Sequence, residues 1–313
     1  MKKLSVESFT RVRRWVYRNA RQIELAVWRR EFENGSGEDI LSALAQYQNA
    51  DGGFGNALEP DCWNPASSPY TTLNAADKLL SAGPAAAEPA MTRGILNFLN
   101  SGAHRTENGW LFSIPGNDGY ARAPWWNYDE AANETEHAGV TLGLSCFVFR
   151  RAEKNSELYK LAAGFVEKLL AKLNEPGDKG DMGLNGYRGL LETVNELKLN
   201  ERFDVSRLSA DIKNLIDAAI ERDVSNWAGY SVRPSQFIDS PDSPYYKGNE
   251  EITGKELDYL IDTLPGDDVW GITWQWWENY EKYPKQFAVA ENWWKSGIAT
   301  GNLKFLKSFG RVE

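Results

Sequence analysis

The chain of 313 residues holds only two cysteines, Cys62 and Cys146, and only two histidines, His104 and His137. Two distant cysteines cannot build a disulfide framework and lack the paired spacing of a structural zinc site, so two reduced thiols are expected. Long apolar runs are also lacking. None approaches the roughly 20 residues that a membrane-spanning helix requires, which predicts no membrane span. The first twenty residues, MKKLSVESFTRVRRWVYRNA, interrupt every apolar stretch within a few positions and carry no signal-peptide core, so a cytoplasmic protein is expected. Basic residues are outnumbered, 35 Lys and Arg against 44 Asp and Glu, for a net charge of −9. That balance repels phosphate backbones, and the one basic row, Arg14, Arg18 and Arg21, reads as a solvated helix face; no nucleic-acid partner is expected. No convincing alternation of apolar and polar residues marks a strand.

What is present is helical period. Residues 155–174 place Leu158, Leu161, Ala162, Phe165, Val166 and Leu169 at the three-and-four spacing of a helix with one buried stripe. Residues 138–149, AGVTLGLSCFVF, are apolar nearly all round, and a helix of that kind must have neighbours on most of its circumference. Similar readings cover 6–32, 37–48, 70–82, 88–100, 184–199, 205–222, 254–263 and 285–309, the last with a break near Gly301. The fold class is therefore all-α, and the length is compatible with one domain spanning 1–313.

The loops repeat. NADGGFGNALEPD (49–61), RTENGWLFSIPGND (105–118), GDKGDMGLNGY (177–187), RDVSNWAGYSVRP (222–234) and PGDDVWGITWQW (265–276) each set an Asp, Asn or Gly turn before an aromatic or apolar residue. A sharper echo joins FGNALEPDCWNPASSPY (54–70) and WAGYSVRPSQFIDSPDSPYY (227–246), which share an aromatic start, a proline in mid-loop and a Ser-Pro-Tyr exit ending on Tyr70 and Tyr245. Helix pairs that cannot bury their own apolar faces must stack on their neighbours, so a ring or solenoid of such pairs follows.

The stretch QNADGGFG (48–55) resembles the repeat motif of the prenyltransferase and squalene-cyclase superfamily. There an outer helix ends in a Gln-rich, Asp-Gly-Gly-aromatic-Gly turn that feeds an inner helix of an α/α toroid. The resemblance implies a single-domain ring of about five to six helical hairpins with loops clustered at the mouth of a central hollow. It does not carry the superfamily's acidic motifs. At the nearest Asp-x-Asp-Asp candidate, Asp267-Asp268, Pro265 stands where the first aspartate belongs, and Gly271 occupies the last position of an Asp-Asp-x-x-Asp metal motif. Asp61 and Cys62 are adjacent, whereas the zinc ligands of protein prenyltransferases stand two apart. Neither a metal nor another cofactor is expected.

Chemistry could be carried at a few places. Glu59 and Asp61 fall in the 48–61 loop, and either, made less acidic by aromatic surroundings, could be a general acid; the bland alternative is turn capping. In APWWNYDEAANETEH (123–137) the acids Asp129 and Glu134 precede His137, which stands at the entry to the apolar helix. Glu134 and His137 share a helical face, although a hydrogen-bonded structural histidine is the plainer reading. If the repeat is real, Asp239 and Asp242 in the echo loop are placed to face Asp61 across the mouth. Thirteen tryptophans are mostly core, but Trp63, Trp125, Trp126, Trp227, Trp270 and Trp274, with Tyr70 and Tyr245, are the aromatics expected to line a hollow. Trp270, Trp274 and Trp277 recur at helical spacing, with Trp276 facing elsewhere. The expected partner is a small molecule. The resemblance implies an apolar or amphipathic ligand, isoprenoid-like, with acid-initiated catalysis. A carbohydrate-active enzyme using Asp61 with Asp129 or Asp239 and a non-catalytic interaction module are the alternatives.

Overall fold

In the computed structural model, which describes residues 1–83, 89–173, 175 and 180–313, helices account for the regular structure. They are α1 (Val6–Asn19), α2 (Gln22–Phe32), α3 (Gly37–Leu44), α4 (Pro69–Ser81), α5 (Pro89–Ser101), α6 (Glu130–Arg151), α7 (Glu157–Lys172), α8 (Gly180–Leu197), α9 (Val205–Ala219), α10 (Glu250–Thr263), α11 (Trp277–Lys282) and α12 (Pro284–Ser308). Among the described residues no strand longer than an isolated bridge forms, and no helix is long and apolar enough to cross a membrane.

The helices start where local chemistry tells them to. Ser5, Ser68, Asp129 and Ser156 each accept a hydrogen bond from a backbone N–H three residues on, capping α1, α4, α6 and α7, and proline opens α4 and α12. The expected single helix over 6–32 is two. Ala20 and Arg21 are extended, and the Asn19 side-chain amide donates to the Trp15 carbonyl in the last turn of α1. Arg21 leaves the solvated basic row to pair with Glu24 and cover the Trp293 ring, its carbon 4.6 Å from the ring centre. The expected break near Gly301 does not occur. Buried Ala299, Leu303 and Leu306 hold the period of α12 through it, and the Thr300 hydroxyl donates to the Ser296 carbonyl. Of the loop expected over 177–187, residues 177–179 lie outside the described residues and the remainder is the first part of α8.

The chain divides into two compact units, Met1–Ala43 with Ile216–Glu313, and Leu44–Leu215. The first gathers α1, α2 and α12 with α10 around Val12, Val16, Trp28, Leu257 and Leu303. Its two chain ends are tied together: the Leu4 N–H donates to the Arg311 carbonyl at 2.8 Å, the Glu313 N–H to the Leu4 carbonyl at 3.1 Å, and the Arg311 guanidinium grips Asp258.

The second unit is organised by α6, which is buried over most of its length and packs on α4, α7 and α8. Two glycines permit this. A methyl group at Gly139 would lie 2.7 Å from the Met182 carbonyl of α8, and one at Gly143 would lie 2.7 Å from the Leu73 side chain of α4.

The 48–55 motif is a staple in this unit. Gly52, at φ +88°, passes so close to α5 that an added methyl would stand 2.1 Å from the Gly94 carbonyl; at Gly55 it would stand 2.3 Å from the Pro65 carbonyl. The Gln48 amide donates to the Gly52 carbonyl at 3.0 Å and reaches Met91 of α5, while Asp51 accepts from the Gly53 N–H and the Ser67 hydroxyl. The Phe54 N–H donates to the Thr72 hydroxyl of α4. Gly52→Ala combines left-handed strain with overpacking and is expected to cost about 2–4 kcal/mol. Gly164→Ala, in open space on α7, is expected to gain about 0.5–1 kcal/mol. Urea midpoints of the two variants check both; equal stabilities would contradict the assignment of Gly52 to the staple.

Candidate functional site

Downstream of the staple, residues 61–63 run against 121–123. The Trp63 N–H donates to the Ala121 carbonyl at 2.9 Å and the Ala123 N–H to the Asp61 carbonyl at 2.8 Å. The 115–127 loop is locked by Arg122, whose guanidinium donates to the Asn117 and Tyr120 carbonyls and the Asn127 amide oxygen and pairs with Asp118 at 2.7 Å. This pairing buries the two nominated acids: Glu59 is 3% exposed and Asp61 1%. Burial, reinforced by the charge of Asp61, pushes the Glu59 carboxyl up from its ordinary value. The direction matches the expectation for a general acid, but its cause is desolvation and a like charge, and the group has no opening to solvent.

An open cavity of about 890 Å³ lies immediately beyond, between α4, α6 and α8. The Asn74 amide forms part of its wall and donates to Glu59 Oε2 at 3.1 Å, so Glu59 sits one side chain behind the surface. Tyr70 lines the cavity too, backed by the Trp126 ring at 4.4 Å, which stacks on Phe112 at 4.6 Å. Tyr70, Leu73, Asn74, Asp77 and Leu80 recur at helical spacing on one face of α4, half apolar and half polar. The facing helices add Phe147, Arg150 and Arg151 from α6, and Met182, Arg188 and Glu192 from α8.

Asp77 is the cavity's distinctive titratable group. Asp77 is exposed on the cavity face of α4, and the surrounding protein raises its carboxyl to about 6 by desolvation, against the opposing pull of Lys78 and Arg150. Arg150 is engaged by Glu196 at 2.8 Å. The Nε of Arg151 is buried and finds no hydrogen-bond partner. The Cys146 thiol, also in the wall, is pushed up to about 11 by burial and feels both Asp77 and Glu192. It is free, as is Cys62, whose thiol burial raises to about 12; neither is a ready nucleophile.

The remaining nominated residues do other work. Asp129 caps α6 by accepting from the Ala132 N–H at 2.7 Å, and Glu134 is exposed on that helix. The His137 ring nitrogen Nδ1 lies 3.0 Å from the Asn133 carbonyl, and burial lowers its pKa, the signature of a hydrogen-bonded structural histidine. Trp63, partly buried, donates to the Pro60 carbonyl, and Trp125 is partly buried beside Trp126. In the first unit Trp227 and Trp270 are core, donating to the Glu221 and Leu260 carbonyls, and Tyr245 is buried. Asp239 is exposed and its carbonyl accepts from Ser308. Residues 269–276 are not helical, which removes the expected shared face: Trp276 is fully buried and Trp277 is 57% exposed. Trp274 alone of the nominated first-unit aromatics lines a described cavity. Among the described residues no group of three or more His, Cys, Asp or Glu side chains is placed to hold a metal ion.

Asp77, Arg151 and Glu192 escaped attention in the sequence because each looks like an ordinary solvent-face residue. The available signal was the mixed face of α4, which mere amphipathicity would not produce. No protein-family model, curated protein or solved structure matches the chain.

Asp77 makes a pH-dependent contribution with a definite sign. Between about 4 and 6 the folded carboxyl keeps a proton that the unfolded chain releases, so the folded state loses stability as pH rises through that window. Asp77→Asn is expected to flatten the slope and to be more stable at pH 7 by about 1 kcal/mol, after allowing for screening by cavity water. Urea titrations across pH 4–7, an interval of about three units bracketing that window, measure it; parallel slopes for the two proteins would exclude the assignment.

Proposed function

We propose that the second unit is the receptor for an amphipathic small molecule with an anionic head group, of the isoprenoid diphosphate class, and that Asp77 is its proton donor for acid-initiated turnover. The observation that carries this reading is the buried Arg151 Nε without a hydrogen-bond partner, on a wall that also holds Arg150 and Arg188. An unmet buried charged donor is costly, and a planar guanidinium is suited to phosphate oxygens. Leu73, Leu80, Met182 and Phe147 supply an apolar wall for a hydrocarbon chain, and the cavity falls within the roughly 300–1,000 Å³ typical of small-molecule sites. The aromatics available to a developing positive charge are Tyr70 and Phe147, not the tryptophans. Glu59 passes from donor to a supporting role, accepting from Asn74 behind the cavity wall, and Asp61 is not a donor in this reading. The reading also draws on the resemblance of residues 48–55 to terpenoid-cyclase and prenyltransferase-like toroids, and a closed ring of helical hairpins is part of the proposal.

A second reading has one observation in its favour. Asp77 and Glu192 are two carboxyl groups in the same cavity wall, both acting on Cys146, as a glycoside-cleaving site would require.

Thermal shift with geranylgeranyl diphosphate, inorganic diphosphate and oligosaccharides separates the two. The prenyl diphosphate is expected to stabilise the fold by about 2.7 kcal/mol at one hundred times its Kd. Arg151→Gln is expected to weaken it about 10-fold or more, the loss of one charged hydrogen bond. Stabilisation by oligosaccharides only, abolished in Asp77→Asn, would replace this reading with the glycosidase.

A further inference from the structure

The first unit contains a separate cavity of about 230 Å³ enclosed by the 230–236 segment, residues 271–274 and the C-terminal half of α12. Three of its lining side chains carry a buried polar atom with no hydrogen-bond partner: the Ser231 hydroxyl, the Gln236 carbonyl oxygen Oε1 and the Asn302 amide nitrogen Nδ2. Buried polar atoms are rarely left unpaired, and three of them belong to side chains that line this one cavity, where a small turn of each side chain would present its polar end to a ligand. They comprise a donor, an acceptor and a hydroxyl that can be either. Two aromatic side chains stand beside them: Trp274, partly buried and edge-on to Trp294 at 5.3 Å, and Tyr230, 61% exposed.

The charge in this cavity is already cancelled. Arg233 lies 3.6 Å from Glu256, which is fully buried and accepts from the Ser235 N–H at 2.8 Å and the Ser235 hydroxyl at 2.6 Å. A ligand here has no net charge to meet. The cavity is smaller than the roughly 300 Å³ at which drug-sized sites begin, so it takes a single ring. The unpaired atoms come from two stretches of chain, Ser231 and Gln236 on either side of Pro234 in the 230–236 segment and Asn302 on α12. A planar base presents its donors and acceptors along one edge, whereas a pyranose presents hydroxyls around its circumference and an apolar C–H face for an indole.

We propose that the first unit binds one neutral sugar ring in this cavity, its hydroxyls meeting Ser231, Gln236 and Asn302 and its face stacked on Trp274. The proposal does not rest on the ligand assigned to the second unit, and its readout is local to the first.

The test is a titration of the ¹⁵N-labelled full-length protein with methyl glycosides of glucose, galactose and N-acetylglucosamine. It is followed at the indole N–H signal of Trp274, which Trp274→Phe identifies by its disappearance. A saturable shift with at least one glycoside is expected. Asn302→Leu and Gln236→Leu are each expected to weaken it ~3–10-fold, one hydrogen bond apiece. Because each also replaces an unpaired buried polar atom with an apolar one, neither should lower the melting temperature. If either fails to fold, Tyr230→Ala at the exposed mouth carries the same expected weakening. No shift with any glycoside, a shift with adenosine or uridine in their place, or unchanged affinity in the folded variants would overturn the proposal.

Discussion

A helix without a polar face has to be surrounded, and the second unit is built around meeting that demand for α6. Its burial depends on Gly139 and Gly143, four residues apart, which bring Met182 of α8 and Leu73 of α4 closer than any side chain would allow. Close approach at these points also shapes the cavity. Gly139, Gly143, Gly186 and Gly189 line it, Gly189 alone with open space before it, and the long side chains of Arg150, Arg151 and Glu196 stand around it. The packing that stabilises the unit and the wall of its cavity therefore share the same small residues.

The glycine-rich turn at 48–55 serves this arrangement from outside. Its glycines are required by close backbone approaches, Gly52 to α5 and Gly55 to the 65–66 carbonyls, and its polar side chains are consumed in fixing those approaches. The acids that follow it are sealed under the 121–123 segment. Yet the staple is not irrelevant to chemistry. By fixing the entry to α4 through Phe54 and Thr72 it helps set where Tyr70, Asn74 and Asp77 stand, and Glu59 supports Asn74 from behind.

The first unit handles polarity differently. Its buried Glu256 is matched by Ser235 and Arg233, and burial raises its carboxyl above the ordinary value. Ser231, Gln236 and Asn302, a short distance away in the chain or on α12, are not matched. A protein that satisfies one buried charge with two hydrogen bonds and leaves three nearby neutral groups unpaired has room there for something else to bind.

Helical period and the apolar character of 138–149 were legible in the sequence because they are local: each depends on residues within a turn or two of one another. The Ser-Pro-Tyr echo marked Tyr70 and Tyr245 alike, but Tyr70 borders a cavity and Tyr245 is buried. The fates of Glu59 and Asp61 were not legible, since a carboxyl in a loop reads the same whether a distant segment such as 121–123 covers it or leaves it open. Arg151 was hidden for the converse reason, because a charged residue on a helix looks solvated until other helices bury part of it. Sequence alone determined that the chain is helical and where most of its helices run. Tertiary structure decided which polar groups are enclosed together, because desolvation and pairing depend on residues that only the fold brings near.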